Sequence, residues 1–330
     1  MRQSFVFTTI FPVLIAFLAG ACLVYFFTKP QSQSVTSVFP NLSEHRLNGN
    51  YQFISPLLEC SSQLGSYESL RPLNKQLTQL ISNQKKQKFI LDASIYYRDL
   101  NNGPSLGINE QAQFSPASLT KVPLLITYLK QAEKSPSILK KTILNYHDQS
   151  DDLQNIIPGF TIQKDQAYEI KDLLKYMIIY SDNNSFYLLV DYLQNDEEIL
   201  GVYKDLGINV LGFYNDPYGN ILSVIDYSTF FRILYNSSYL NEPMSEQALK
   251  LLSQTEFKDG LIAGLPQDII VSHKFGERDF PDTNLKQLHD CGIIYAPQKP
   301  YLLCVMTKGD DFTHLSQFIS QVSSLVYQNL

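Results

Sequence analysis

Ser118 and Lys121 stand three residues apart in the run SPASLTKVPLLITYL, a spacing that would let the two side chains do covalent chemistry together. A serine hydroxyl is a weak nucleophile near neutral pH and needs a base beside it. On a helix the residue three positions on lies one turn away on the same face, so the Lys121 amine would reach the Ser118 hydroxyl. That amine is a base only when neutral. Burial in the apolar stretch that follows, with positive charge nearby, would lower its pKa and make it one. A serine at a helix N-terminus also turns its own backbone N–H toward a developing oxyanion. S-x-x-K recurs at Ser82–Lys85 and Ser137–Lys140, but the polar surroundings there offer no such burial.

Two later patterns extend the group. YSDNNS places Ser181, Asp182 and Asn183 in a break between helical stretches, and VSHKFGE places Lys274 and Gly276 at the end of an apolar strand. Alone, S-D-N reads as a helix cap, and K-x-G recurs at Lys258–Gly260. Their order makes the case for one site: serine and lysine opening a helix, S-D-N between helices, K-x-G on a late strand.

Other chemistries find no support. GPSLG matches G-x-S-x-G, yet a turn precedes Ser105 and no helix start follows it, so it reads as a hairpin rather than a nucleophile elbow. The five histidines, His45, His147, His273, His289 and His314, show no paired spacing. HDQSDD lacks the glycine and regular spacing of a calcium loop. No phosphate-binding glycine pattern occurs, so neither metal nor cofactor is expected. Net charge is −6 with no basic stripe, which argues against nucleic acid as a partner.

The elements that must position these residues follow from periodicity. YESLRPLNKQLTQLISNQ has helical spacing, and KFILDASIYYRDL changes to a strand pattern. From Ser118 to about Ser253 the chain reads as mainly helical. DIIVSHKF, KQLHDCGIIYA and PYLLCVMT then read as strands, and a final amphipathic helix spans Thr313 to Gln328. The expected fold is α+β: one antiparallel sheet flanked by terminal helices, with an all-helical lobe at about 118–255 inserted into it. The site would lie at the seam.

On these residues the sequence resembles the penicillin-binding protein and serine β-lactamase superfamily, and looks closest to class A β-lactamase-related serine hydrolases. The resemblance covers roughly residues 85–328, supported beyond the short motifs by GLIAGLPQDIIVSHKFGE. It implies that Ser118 attacks an amide carbonyl and forms an acyl-enzyme, and that Lys121 assists its deprotonation. Ser181 would pass a proton to the leaving nitrogen, helped by Lys274. Asn183 would hold substrate and Asp182 would brace the loop. The backbone N–H groups of Ser118 and Glu277 would form the oxyanion hole.

Two departures separate this sequence from that pattern. The third motif is usually K-T-G or K-S-G, whose hydroxyl helps bind the substrate carboxylate. Here Phe275 fills the place, and Arg278 or His273 would have to substitute. Efficient class A enzymes also carry a glutamate on a loop after S-D-N. LGFYNDPYGNILSVIDYS has none, leaving Asp216 as the stand-in or as a plain turn residue beside Pro217. Three functions stay open: a β-lactam hydrolase, perhaps slow; a D-alanyl peptidase or other acyl-transfer hydrolase of peptide-like substrates; and a membrane-tethered binding protein without turnover. An acyl-enzyme hydrolase of β-lactamase type fits the four reactive residues best.

The 330 residues are 44% hydrophobic, enough for a large core. Phe5 to Phe27 carries no charge between Arg2 and Lys29. At about 1.5 Å per residue this run spans a hydrocarbon core about 30 Å thick. Residues 1–28 therefore read as a membrane anchor, with a cleaved signal as the alternative, and the domain beyond would be extracytoplasmic. Residues 29–50 read as a polar tether to a catalytic domain at 51–330. Cys60, Cys291 and Cys304, widely spaced, read as buried small hydrophobes.

Overall fold

The computed structural model describes residues 40–46, 51–64, 67–101, 104–146, 156, 159–210, 219 and 221–330. The expected anchor at 5–27 and Asp216 lie outside the described residues. Among the described residues no helix is long and apolar enough to cross a membrane.

In chain order, a ribbon of β1 (Pro40–Arg46) and β2 (Leu57–Leu64) comes first, followed by α1 (Arg71–Lys86), β3 (Asp92–Asp99) and β4 (Ser105–Ile108). After β5 (Gln113–Phe114), a 3-10 turn over Ala117–Thr120 leads into α2 (Lys121–Lys134). β6 (Thr142–Leu144), β7 (Ala167–Glu169), α3 (Ile170–Ile179), α4 (Asn183–Leu193) and α5 (Glu197–Asp205) follow. Next come β8 (Leu222–Ser223), α6 (Val224–Tyr235) and α7 (Glu242–Leu252). The chain closes with β9 (Val271–Phe280), β10 (Leu285–Ile294), β11 (Tyr301–Gly309) and α8 (Phe312–Gln328).

The sheet runs β4-β3-β11-β10-β9, every neighbour antiparallel, so β9 is an edge strand. Its central strands are buried on both faces, which is why YLLCVMT reads as a continuous apolar run rather than an alternating one. On one face Leu73 and Leu77 of α1 and Phe318 and Val322 of α8 pack against Ile95, Leu303 and Val305. On the other, Phe230 and Phe231 of α6 pack against Tyr96, Cys304 and Met306. Helix α2 is buried on every side from Lys121 to Leu129, with Val122, Leu124, Leu125, Ile126, Tyr128 and Leu129 in the core and its polar last turn at the surface. A helix of that kind can only be the axis of a lobe. Each such side chain contributes about 1.5–3 kcal/mol on burial.

The inserted lobe differs from the all-helical expectation. Within it β6 pairs with β7, and at its border β8 pairs with β5, which precedes the lobe; these strands are too brief to show a period. α5 was not anticipated either, because Gly201 and the acidic start of the segment mask its spacing. Within the stretch read as a tether, β1 pairs with β2; its polar residues carry no hydrophobic signal, and the pairing is made by backbone. A further correction concerns the cysteines. Cys291 and Cys304 are register partners on β10 and β11 and form a disulfide rather than acting as two separate small hydrophobes.

Candidate active site

Three short segments converge between sheet and lobe: the 3-10 turn, the break between α3 and α4, and the outer edge of β9. Ser118 lies in the turn, and Lys121 is the first residue of α2. The turn is held from several sides. Leu119 N–H donates to Pro116 O at 2.9 Å, Thr120 Oγ1 donates to Ala117 O at 2.9 Å, and the buried Tyr227 hydroxyl donates to Leu119 O at 3.1 Å. That bracing matters because Ala117 sits at φ +46°, and Ser181 at φ +58°. A non-glycine residue in the left-handed region costs about 1–3 kcal/mol and persists only where its surroundings hold it. Ala117 precedes Ser118, and Ser181 itself carries the second hydroxyl of the candidate site.

The four side chains singled out in the sequence meet. Lys121 Nζ lies 2.7 Å from Ser118 Oγ, 2.5 Å from Asn183 Oδ1 and 3.4 Å from Ser181 Oγ. From β9, Lys274 Nζ reaches Ser181 Oγ at 2.9 Å and its neighbour's carbonyl, Phe275 O, at 2.9 Å. Two hydroxyls and two amines thus form one chain: Ser118, Lys121, Ser181, Lys274. Lys121, Ser181 and Lys274 are buried, while Ser118 remains partly open. Burial holds the Lys274 pKa well below its ordinary value, and the Lys121 charge pushes it the same way; Asp290 and Glu277 act weakly against them. A lowered pKa makes it easier for an amine to give up and take back a proton.

Asp182 takes a different part. It is buried and caps α4, accepting from Ser185 N–H at 2.8 Å, from the Ser185 hydroxyl, and from Thr161 Oγ1 at 2.5 Å. Asn184 Nδ2 in turn donates to Thr161 Oγ1 at 3.2 Å. This bracing fixes the break in which Ser181 adopts its strained backbone. The S-D-N stretch already reads as a helix cap in the sequence, but the part played by Thr161 was not foreseen.

Gly276 sets how closely the edge of β9 approaches the turn. A Cβ there would lie 2.8 Å from Pro116 O and 3.1 Å from Leu119 N, so the glycine is required by backbone proximity. This proximity brings the Glu277 backbone beside the Ser118 turn. The Glu277 carboxylate accepts from Ile156 N–H at 2.9 Å. Phe275 is buried and stacks on Phe257 with centroids 4.2 Å apart.

Neither residue expected to replace the missing hydroxyl reaches that place. Arg278 Nη1 donates to Ser115 Oγ at 3.0 Å, and its guanidinium lies 4.9 Å from the Phe280 ring centroid. His273 is buried, with Nδ1 2.8 Å from Asp290 Oδ1. Of the stretch carrying Asp216, Gly219 is described: at φ +60°, it lies against Arg278. Among the described residues no group of three or more His, Cys, Asp or Glu side chains could hold a metal ion.

Comparison with known proteins adds the relationship. Residues 72–330 match the family described as "Beta-lactamase enzyme family". No curated protein sequence matches the chain. Similar solved structures include PBP-A, at 24% identity over 78% of this chain and 96% of that one, with a TM-score of 0.63. A class A β-lactamase from Bacteroides cellulosilyticus matches at 21% identity over 78% and 97%, TM-score 0.64. The class A β-lactamase from Mycobacterium abscessus matches at 20% over 77% and 98%, TM-score 0.64. At such identities the likeness speaks for the fold.

Proposed function

The chain belongs to the beta-lactamase enzyme family, and we propose that it is a serine hydrolase working through an acyl-enzyme on Ser118. One observation carries the reading: the Lys121 amine lies 2.7 Å from the Ser118 hydroxyl, inside a buried chain that continues through Ser181 to Lys274. A binding protein has no use for that arrangement.

In the proposed reaction, Lys121 takes the proton of Ser118 as Oγ attacks the carbonyl of an amide, a β-lactam or a related ester. The backbone N–H groups of Ser118 and Glu277 stabilise the oxyanion, and such donors are worth about 10²–10³ in rate each. The proton passes to Ser181, which delivers it to the departing nitrogen or oxygen, with Lys274 stabilising the Ser181 oxygen meanwhile. The bond from Ser118 Oγ to the acyl carbon forms as the carbonyl–nitrogen bond breaks. Water then releases the acyl group. Without the customary glutamate, that step is expected to be the slow one, with Asp216 as the proposed base.

Within the same reading, residues 5–27 hold the catalytic domain on the extracytoplasmic side of a membrane. Protease accessibility in intact cells tests that placement.

The enzymatic reading is tested by intact mass of the full chain in detergent after mixing with penicillin G and, separately, with a carboxylate-free phenylacetyl ester. Acyl adducts that vanish in Ser118→Ala support it, and their lifetime measures deacylation. The absence of any adduct from both reagents would refute it.

A further inference from the structure

A cavity of about 350 Å³ is lined by the immediate neighbours of Ser181 and Lys274, Tyr180 and Phe275. Tyr180, Glu256, Phe257, Lys258, Asp259 and Phe275 are among its lining residues. The Phe275 ring joins the cavity to the reactive amine: its centroid is 4.2 Å from Lys274 Nζ, and it stacks on Phe257 at 24° between planes. Tyr180 immediately precedes Ser181. A second cavity of about 510 Å³ shares Phe257 and Asp259 with the first and runs on to the start of α8 at Phe312 and Thr313. The two cavities adjoin at Phe257 and Asp259, and Tyr180, Phe257 and Phe275 give the first an aromatic wall.

Its charges do not suit an anion. Glu256 and Asp259 are exposed acids on the rim. Against them stands Lys258, whose Nζ donates to Thr255 O at 2.7 Å. Position 275 offers no hydroxyl, Arg278 reaches Ser115 and the Phe280 ring rather than the cavity wall, and His273 faces Asp290. A carboxylate entering here would lose its water without gaining a built set of donors, which is costly. An aromatic group would meet Tyr180, Phe257 and Phe275 instead.

We propose that this site selects a leaving group that is aromatic or apolar and carries no carboxylate. The inference rests on the acyl-enzyme reading above and narrows its substrate class. In the step concerned, the bond from Ser118 Oγ to the acyl carbon forms, the acyl–oxygen bond of an ester breaks, and the departing oxygen takes the proton carried by Ser181.

The test uses two esters of phenylacetylglycine, one with 3-hydroxybenzamide and one with 3-hydroxybenzoate as leaving group. Both give the same acyl-enzyme, so any difference in rate belongs to acylation. With the full chain, the benzamide ester is expected to acylate Ser118 about tenfold faster or more. Glu256→Gln with Asp259→Asn, which touches no buried side chain, should narrow the ratio. Phe275→Thr, if folded, should narrow it further. Equal or faster reaction of the benzoate ester in the unaltered chain would overturn the proposal. So would a Lys258→Ala variant that slows only the benzoate ester, since Lys258 would then be a carboxylate anchor. If both esters acylate Ser118 without discrimination, only this inference falls. If neither does, the acyl-enzyme reading fails and takes the inference with it.

Discussion

The two faces of β9 are made of alternating residues from one strand, yet they do opposite work. Toward the lobe, Ser272 Oγ donates to Leu249 O, Lys274 reaches Ser181, Gly276 admits the Ser118 turn, and Arg278 holds Ser115. This row reaches across to the lobe and to the turn that carries Ser118. Toward the terminal helices, Val271 joins the apolar cluster with Leu261 and Phe318, and His273 closes onto Asp290, while Phe275 borders both that cluster and the cavity beside Lys274. Asp290 is itself tied to Leu261 N–H at 2.9 Å. Because strand side chains alternate, a one-residue slip would exchange the two sets completely. The buried face fixes the register, and the register delivers Lys274 to Ser181.

The sharpest way to break that comparison is Lys274→Met. If the lobe-facing row serves chemistry rather than stability, acylation should fall by about 10²–10⁴ while the fold persists. The sign of the pH effect follows from the lowered pKa of Lys274. Between that value and 10.5, the unfolded chain binds more protons at this residue than the folded one, so stability rises with pH across the window. Methionine removes that slope. Chemical denaturation at several pH values checks both points. A variant that unfolds as readily as one with a large residue cut from the opposite face would erase the distinction.

Gly276→Ala should have a smaller effect, but one that sharpens the contrast. The added methyl meets backbone, Pro116 O at 2.8 Å and Leu119 N at 3.1 Å, and backbone cannot rotate away. Overpacking of this kind costs about 1–3 kcal/mol. A shift of the Ser118 turn by about 1 Å would cost about 10²-fold in rate. Acylation kinetics alongside thermal unfolding separate the two effects. Unchanged kinetics would mean that the edge of β9 does not set the position of Ser118.

Much of this arrangement was legible in the sequence, and the parts that were not share a cause. The change of period from helical to strand and back revealed the sheet and the inserted lobe, since each long element buries a regular face. Ser118, Lys121, Ser181 and Lys274 could be singled out as candidates because S-x-x-K, S-D-N and K-x-G each lie on a few consecutive positions, and the structure brings the four together. What escaped depends on register between distant segments. Cys291 and Cys304 stand symmetrically about the turn joining β10 to β11, yet only the pairing of those strands reveals their contact. Phe275 was legible as a departure from the family pattern, but not its stack on Phe257, eighteen residues back in sequence (275 − 257). His289 illustrates the same limit most fully.

His289 gives the smallest expected effect, and it reaches the site from behind the turn. It is the register partner of Gly276, wholly buried, and lies edge-on to Phe114. Thr307 N–H donates to its Nδ1 at 3.2 Å, so Nδ1 must be the acceptor, and Nε2–H donates to Ser115 O at 3.0 Å. Protonation would set one N–H against another. Burial above all pushes the pKa down, to about 3, so the ring stays neutral in the folded protein. An unfolded histidine titrates near 6.5. Between pH 6.5 and about 3, unfolding therefore takes up one extra proton here, and stability falls as pH falls, by at most about 1.4 kcal/mol per pH unit from this group. His289→Gln should flatten that part of the stability–pH curve and loosen the carbonyl three residues before Ser118, lowering acylation slightly at neutral pH. Equal acid sensitivity in the two proteins would show that another buried group governs the acid limit. Near neutral pH the ring then acts as a fixed strut, holding Ser115 so that the lobe-facing side of β9 meets Ser118 in one geometry.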